Sequence, residues 1–144
     1  MYSKFLFVGL GGAGGETLAR LKQEIVGWLE YNQLPPVIPD GWQFLHIDTP
    51  TRCDTTPRVA EGEYLGLIDH GIDYHTILGT LHNDSDLYLE LQNWQPPSQG
   101  IGVAVATGAG QYRAVGSAIA YSAVRAIRNK ITRVIENLNH GEVD

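Results

Sequence analysis

The sequence predicts an α/β fold, the first part of a doubly wound and mostly parallel sheet, and three features carry that expectation. An apolar run from Lys4 to Leu10 is stopped by the glycine-rich segment Gly11 to Gly15 and followed by a helical pattern, which gives the order strand, glycine turn, helix. A second apolar run, Trp42 to Asp48, follows a proline-rich connection. A second glycine loop, Gly108 to Gly110, opens another long helical pattern.

The first run is rich in aromatic and branched residues and reads as a buried strand. From Glu16 to Tyr31, Leu18, Leu21, Ile25, Trp28 and Leu29 recur at three- and four-residue spacing, which places them on one helix face. Pro35, Pro36 and Pro39 fall within the next ten residues and cannot continue that helix, so 32–41 is a surface connection. The second strand covers Trp42 to Asp48, a polar loop covers Pro50 to Pro57, and Glu63 to Leu67 reads as a short third strand. Two modest helical patterns follow, one with Ile72, His75 and Ile77 to Leu81, the other from Leu87 to Leu91, with a break and cap at Asn83-Asp84-Ser85. Together they read as a helical insertion near 69–100, closed by the breaker cluster Trp94 to Gly100. Ile101 to Thr107 reads as a strand. From Val115, the stripe Ile119, Ala123, Ile127, Ile131, Val134, Ile135 and Leu138 predicts one helix of about six turns, with Gly141 as its stop.

At 144 residues the chain is one domain or a piece of one. Its 43% hydrophobic and 18% charged residues exclude a disordered or low-complexity class. Lys and Arg total 10 against 16 acids, a net charge of -6, so no nucleic-acid partner is expected. One cysteine, Cys53, forms no internal disulfide, and Phe5 to Leu10 is too short for a signal sequence or a membrane span, so a cytoplasmic setting is expected. His46, His70, His75, His82 and His140 lack the spacing of a metal site and read as polar surface residues. Cys53 reads as an ordinary exposed cysteine, and Trp28, Trp42 and Trp94 as packing residues. Between Gln111 and Leu138, Arg113, Arg125, Arg128, Lys130 and Arg133 face a single acid, Glu136. The plain reading is a solvated helix face; the functional one is Arg113 on a phosphate and the others against an acidic partner surface.

Gly9, Gly11 and Gly14 fit G-x-G-x-x-G between a strand and a helix. Glycines allow positive φ and close backbone approach, and the free N–H groups at a helix start attract phosphate. The candidate set is therefore Gly9, Gly11, Gly12, Ala13, Gly14, Gly15 and Glu16, against the alternative of a tight crossover without ligand. A dinucleotide fold places an acid about 20 residues on, at the end of the second strand. Asp48 is the candidate, 34 positions beyond Gly14. No P-loop signature occurs. The second loop, with Gly108, Ala109, Gly110, Gln111 and Arg113, could cradle the other end of a polyphosphate, against the alternative of a plain loop.

These residues resemble the tubulin and FtsZ superfamily, and most of all the bacterial tubulin-like proteins distinct from FtsZ. Gly9-Leu-Gly-Gly-Ala-Gly-Gly15 is similar to the family's first phosphate loop. His46-Ile-Asp-Thr49 resembles the hydrophobic run closed by Asn-Thr-Asp, and Gly108 to Gly116 resembles the loop that senses the γ-phosphate. The resemblance implies a Rossmann-like sheet of the GTPase type, with residues 1–144 as the N-terminal part of a tubulin-like GTP-binding domain. It implies GTP or GDP with Mg2+ as ligands, and self-association into filaments or pairing with a chain that completes the sheet. Glu16 stands where FtsZ has an asparagine at the nucleotide, which implies weaker anion affinity. The hallmark Gly-Gly-Gly-Thr-Gly loop and the acidic catalytic loop correspond to sequence past Asp144, so GTP hydrolysis is expected of a complete member, and no catalytic residue is assigned here. Two other classes remain in view: an NAD/FAD- or ATP-binding Rossmann-type enzyme domain, and an assembly module of the same fold without ligand.

Overall fold

Apolar, branched and aromatic residues between Phe5 and Leu10 favour an extended chain, and Gly11, with φ +68°, turns it. The structure is a computed structural model that describes residues 3–69, 72–94, 105, 108–109 and 112–141. In chain order the elements are β1 (Phe5–Leu10), α1 (Gly11–Tyr31), β2 (Trp42–Asp48), a 3-10 turn (Glu61–Glu63), β3 (Tyr64–Gly66), α2 (Tyr74–His82), α3 (Ser85–Leu91), α4 (Arg113–Ser122) and α5 (Val124–His140). The chain divides into two units, one holding residues 1–48, 53–65 and 129–144 and the other 49–52 and 66–128.

In the first unit β1 pairs in parallel with β2, from Phe5 opposite Trp42 to Leu10 opposite Ile47. A parallel pair needs a long crossover, and α1 with the proline-rich connection supplies it. Among the described residues the sheet order is β1-β2-β3. Phe44, Leu45, His46 and Ile47 are buried in succession, the pattern of a strand covered on both faces. Phe7 stacks on Phe44 at 4.9 Å between ring centres, and Leu18, Ala19, Phe44 and Val59 form the core against α1. The carboxylate of Glu63 accepts from Lys22 Nζ at 2.6 Å, and that ammonium also lies 5.1 Å from the centre of the Phe44 ring. The end of α5 belongs here too. Asn139 accepts at its carbonyl from Lys4 Nζ at 2.8 Å, and Gly141 ends the helix against the Asp40 carbonyl, where no Cβ fits.

The second unit has its own core of Ile68, Tyr74, Ile77, Leu78, Leu81, Leu91, Val105, Val115, Ala118 and Ile119. Asp73 caps α2, its Oδ1 accepting from the Thr76 N–H at 2.8 Å and the Thr76 hydroxyl at 2.7 Å. α2 gives way at Asn83, and Asp84 accepts from the Asp86 N–H at 3.2 Å as α3 begins.

Several expectations need correction. α1 begins at Gly11 rather than Glu16, so most of the glycine segment is the first turn of the helix. The single helix expected from Val115 is two, broken at Ala123, whose φ of -100° and ψ of 9° leave the helical region. Residues four apart advance about 40° past a full turn, so a stripe stepping by four from Val115 to Ile131 rotates by about 160° and cannot stay on one core. Accordingly α4 buries Val115, Ala118 and Ile119, while α5 buries Val134. Trp28 is 58% exposed and Trp94 38% exposed, so neither is an interior packing residue. Of the strand expected over 101–107, only Val105 falls among the described residues, and it is fully buried. His70 also lies outside them.

Candidate functional site

The start of α1 follows directly from its glycines. Leu10, the residue before the helix, is extended and offers no side-chain cap, and the first turn carries no acid. Its backbone N–H groups thus meet neither a capping oxygen nor a carboxylate of that turn, and the positive end of the helix dipole stays open. A Cβ on Gly9 would stand 2.5 Å from the Gly14 carbonyl oxygen, and one on Gly14 would stand 3.0 Å from the Gly9 carbonyl carbon. Bare backbone at both positions is what lets the end of β1 touch the first turn. A Cβ on Gly15 would run into the imidazole of His46. Gly11 is needed for its left-handed backbone, φ +68°. Local geometry therefore accounts for four of the five glycines, more than the excess of glycine in the sequence suggests. Gly12 is the exception: it is exposed, and a Cβ there would meet nothing within 4 Å. Ala13 beside it is exposed as well, and Glu16 is exposed one turn further on.

Sequence reasoning missed His46, taken there for a surface residue. It is fully buried near the end of β2. Its Nε2 lies 3.1 Å from the Gly11 carbonyl oxygen and 3.8 Å from Asp48 Oδ2, and its Nδ1 lies 3.6 Å from Cys53 Sγ. Its ring meets Tyr64 edge-on at 5.0 Å. The available signal was position: a histidine inside the apolar run Phe44-Leu45-His46-Ile47 has both faces of the strand buried around it and must find partners there. Cys53 is correspondingly half-buried rather than exposed, with its sulfur also 3.3 Å from Thr55 Oγ1. Burial pushes the Tyr64 phenol well above its ordinary value, helped by Asp48, Cys53 and Asp54, so it stays protonated. Asp48, largely buried at the end of β2, stands near the same imidazole without hydrogen-bonding to its Nε2. The structure thus brings Gly11, Gly15, His46 and Asp48 together in one unit.

The second loop belongs to the other unit. Gly108 has φ +136°, a backbone that favours glycine, and its N–H donates to the Val105 carbonyl at 3.2 Å. Ala109 accepts from the Tyr112 N–H at 3.0 Å. α4 begins after Tyr112 without a side-chain cap, and its first residue is the exposed Arg113. A cation there opposes the helix dipole. Gly110 and Gln111 lie outside the described residues. Of the basic residues further on, Arg125, Arg128 and Arg133 are exposed, while Lys130 donates to the Gly62 carbonyl at 2.5 Å. Among the described residues no His, Cys, Asp and Glu cluster could hold a metal ion, and no helix is long and apolar enough to cross a membrane.

No curated protein and no solved structure matches the chain. A protein-family model described as tubulin-like matches residues 6–144, which takes in both glycine loops and every strand and helix except the first residue of β1. With its parallel β1 and β2 joined through a glycine turn and α1, the chain belongs to the tubulin-like family.

Proposed function

We propose that this chain binds a guanine nucleotide, with the first turn of α1 taking its phosphates. The observation that carries this reading is Gly12: it is exposed, free of any steric need for glycine, and set in a helix start without cap or acid. An anion placed there gains N–H donors and the helix dipole. The donors are backbone groups on an open tip, so the arrangement fits a polyphosphate, whose oxygens accept hydrogen bonds without donating. Asp48 is the carboxylate suited to a ribose hydroxyl or to a water of a phosphate-bound Mg2+. Gly108, Ala109, Gly110, Gln111 and Arg113 are assigned to the terminal phosphate on the family resemblance alone. GTP hydrolysis and self-association into filaments belong to the proposal for the complete protein and rest on the family alone.

A dinucleotide is the second reading, favoured by the placement of Asp48 at the end of β2 beside the first loop. Calorimetric titration with GTP, GDP, ATP and NAD in the presence of Mg2+ separates the two. The expected result is binding of GTP and GDP, weakened at least about tenfold in Gly12→Asp, where a carboxylate meets the phosphates. Preference for NAD or ATP, or indifference to Gly12→Asp, would overturn it.

A further inference from the structure

Gly11 and Gly12 share one peptide unit, and that unit is planar and trans. Its carbonyl and its N–H therefore point in opposite directions, so a contact that holds the Gly11 carbonyl, beside its place in the first turn of α1, also holds the direction of the Gly12 N–H. The carbonyl lies 3.1 Å from His46 Nε2. A carbonyl only accepts, so this contact requires the proton on Nε2. Asp48 Oδ2, at 3.8 Å, is beyond hydrogen-bonding range and does not compete for that proton. The Nδ1 of the same ring is then an acceptor, inside a residue with no solvent exposure, and needs a donor. Cys53 Sγ at 3.6 Å supplies it. The Thr55 hydroxyl donates to the Pro57 carbonyl at 3.2 Å, so the single thiol hydrogen has two acceptors in reach, Thr55 Oγ1 at 3.3 Å and His46 Nδ1, and the buried Nδ1 is the one that needs it.

We propose that His46 is a positioning residue for the phosphate turn: the chain Cys53 to His46 to the Gly11 carbonyl fixes one imidazole tautomer and so turns the Gly12 N–H outward to the ligand. Two further observations fit a fixed ring. Gly15 leaves no space between α1 and the imidazole, and Tyr64 closes another side at 5.0 Å. The inference rests on the nucleotide reading for the identity of the ligand, while the tautomer and the peptide orientation can be measured without one.

The test uses the full 144-residue chain and GDP as the probe. In the ligand-free protein, nitrogen-15 NMR should find His46 protonated at Nε2 and bare at Nδ1; the reverse tautomer overturns the proposal. His46→Phe keeps a ring but loses the donor, and GDP affinity should fall about tenfold, whereas His46→Gln, whose amide can donate to the Gly11 carbonyl, should restore affinity to within about threefold of wild type. Should His46→Phe not fold, Cys53 carries the same question from further away. Cys53→Ala removes the donor to Nδ1 and should shift the Gly12 amide resonance and weaken GDP several-fold; Cys53→Ser keeps a donor and should do neither. A merely space-filling role would not separate Ala from Ser in this way. Wild type that binds no GDP overturns the nucleotide reading and this one with it. Wild type that binds GDP, with Cys53→Ala and Cys53→Ser binding alike, overturns this one alone.

Discussion

Two helix starts in this molecule meet the same physical problem and answer it differently. The first turn of α2 is closed by its own sequence, since Asp73 accepts from both the N–H and the hydroxyl of Thr76. Those hydrogen bonds hold the Asp73 carboxyl below its ordinary value, the backbone N–H contributing most. The first turn of α1 has Leu10 at the corresponding place and glycine where an acid would serve. A helix start without a cap is less stable by roughly 1 kcal/mol, so keeping one suggests a different partner for its donors. The difference teaches that a helix start is left open to an anion where local stability would have supplied a cap and the sequence does not.

The comparison breaks most severely at Gly9. Gly9→Val places a branched side chain against the Gly14 backbone, and the expected loss is about 3 kcal/mol or more, read as a shift in the urea midpoint of unfolding. A variant as stable as wild type would mean that β1 and the first turn of α1 do not touch as described. At α2 the effect is smaller and depends on pH. A carboxyl with a depressed folded pKa contributes stability above its unfolded value, near pH 4, and loses that contribution as pH falls through the folded value. Asp73→Ala should therefore lower the urea midpoint at neutral pH and approach wild type in acid, while Asp73→Asn, still a cap, should show less of that dependence. An Asp73→Ala defect equally large at pH 2 would sink the capping assignment.

The smallest expected effect sharpens the comparison most. Gly12→Ala adds a methyl where nothing lies within 4 Å, so stability should hold or rise by about 0.5 kcal/mol through the unfolded state. If the turn takes a phosphate at close range, GDP affinity should nevertheless drop. Thermal melts and calorimetry on one preparation read both quantities. A stabilised variant with unchanged affinity would remove Gly12 from the site.

Much of this molecule was legible before any coordinates. The period of apolar residues and the position of glycines and prolines determined β1, β2, the short β3, the amphipathic body of α1, the pair α2 and α3, and the stop at Gly141, because these depend on the backbone preferences of a few neighbouring residues. The break at Ala123 was not legible, since neither Gly nor Pro marks it and the deciding factor is which core each half of the stripe meets. Nor was the character of His46. Nothing in the sequence sets its imidazole against Gly11, Gly15, Cys53 and Tyr64, which come from three different segments of the chain. The sequence alone determined that glycines stand at this turn. Only the tertiary structure decided which of them are there for packing, which for φ, and that Gly12 is there for neither, because a clash between segments distant in sequence exists only once the chain has folded.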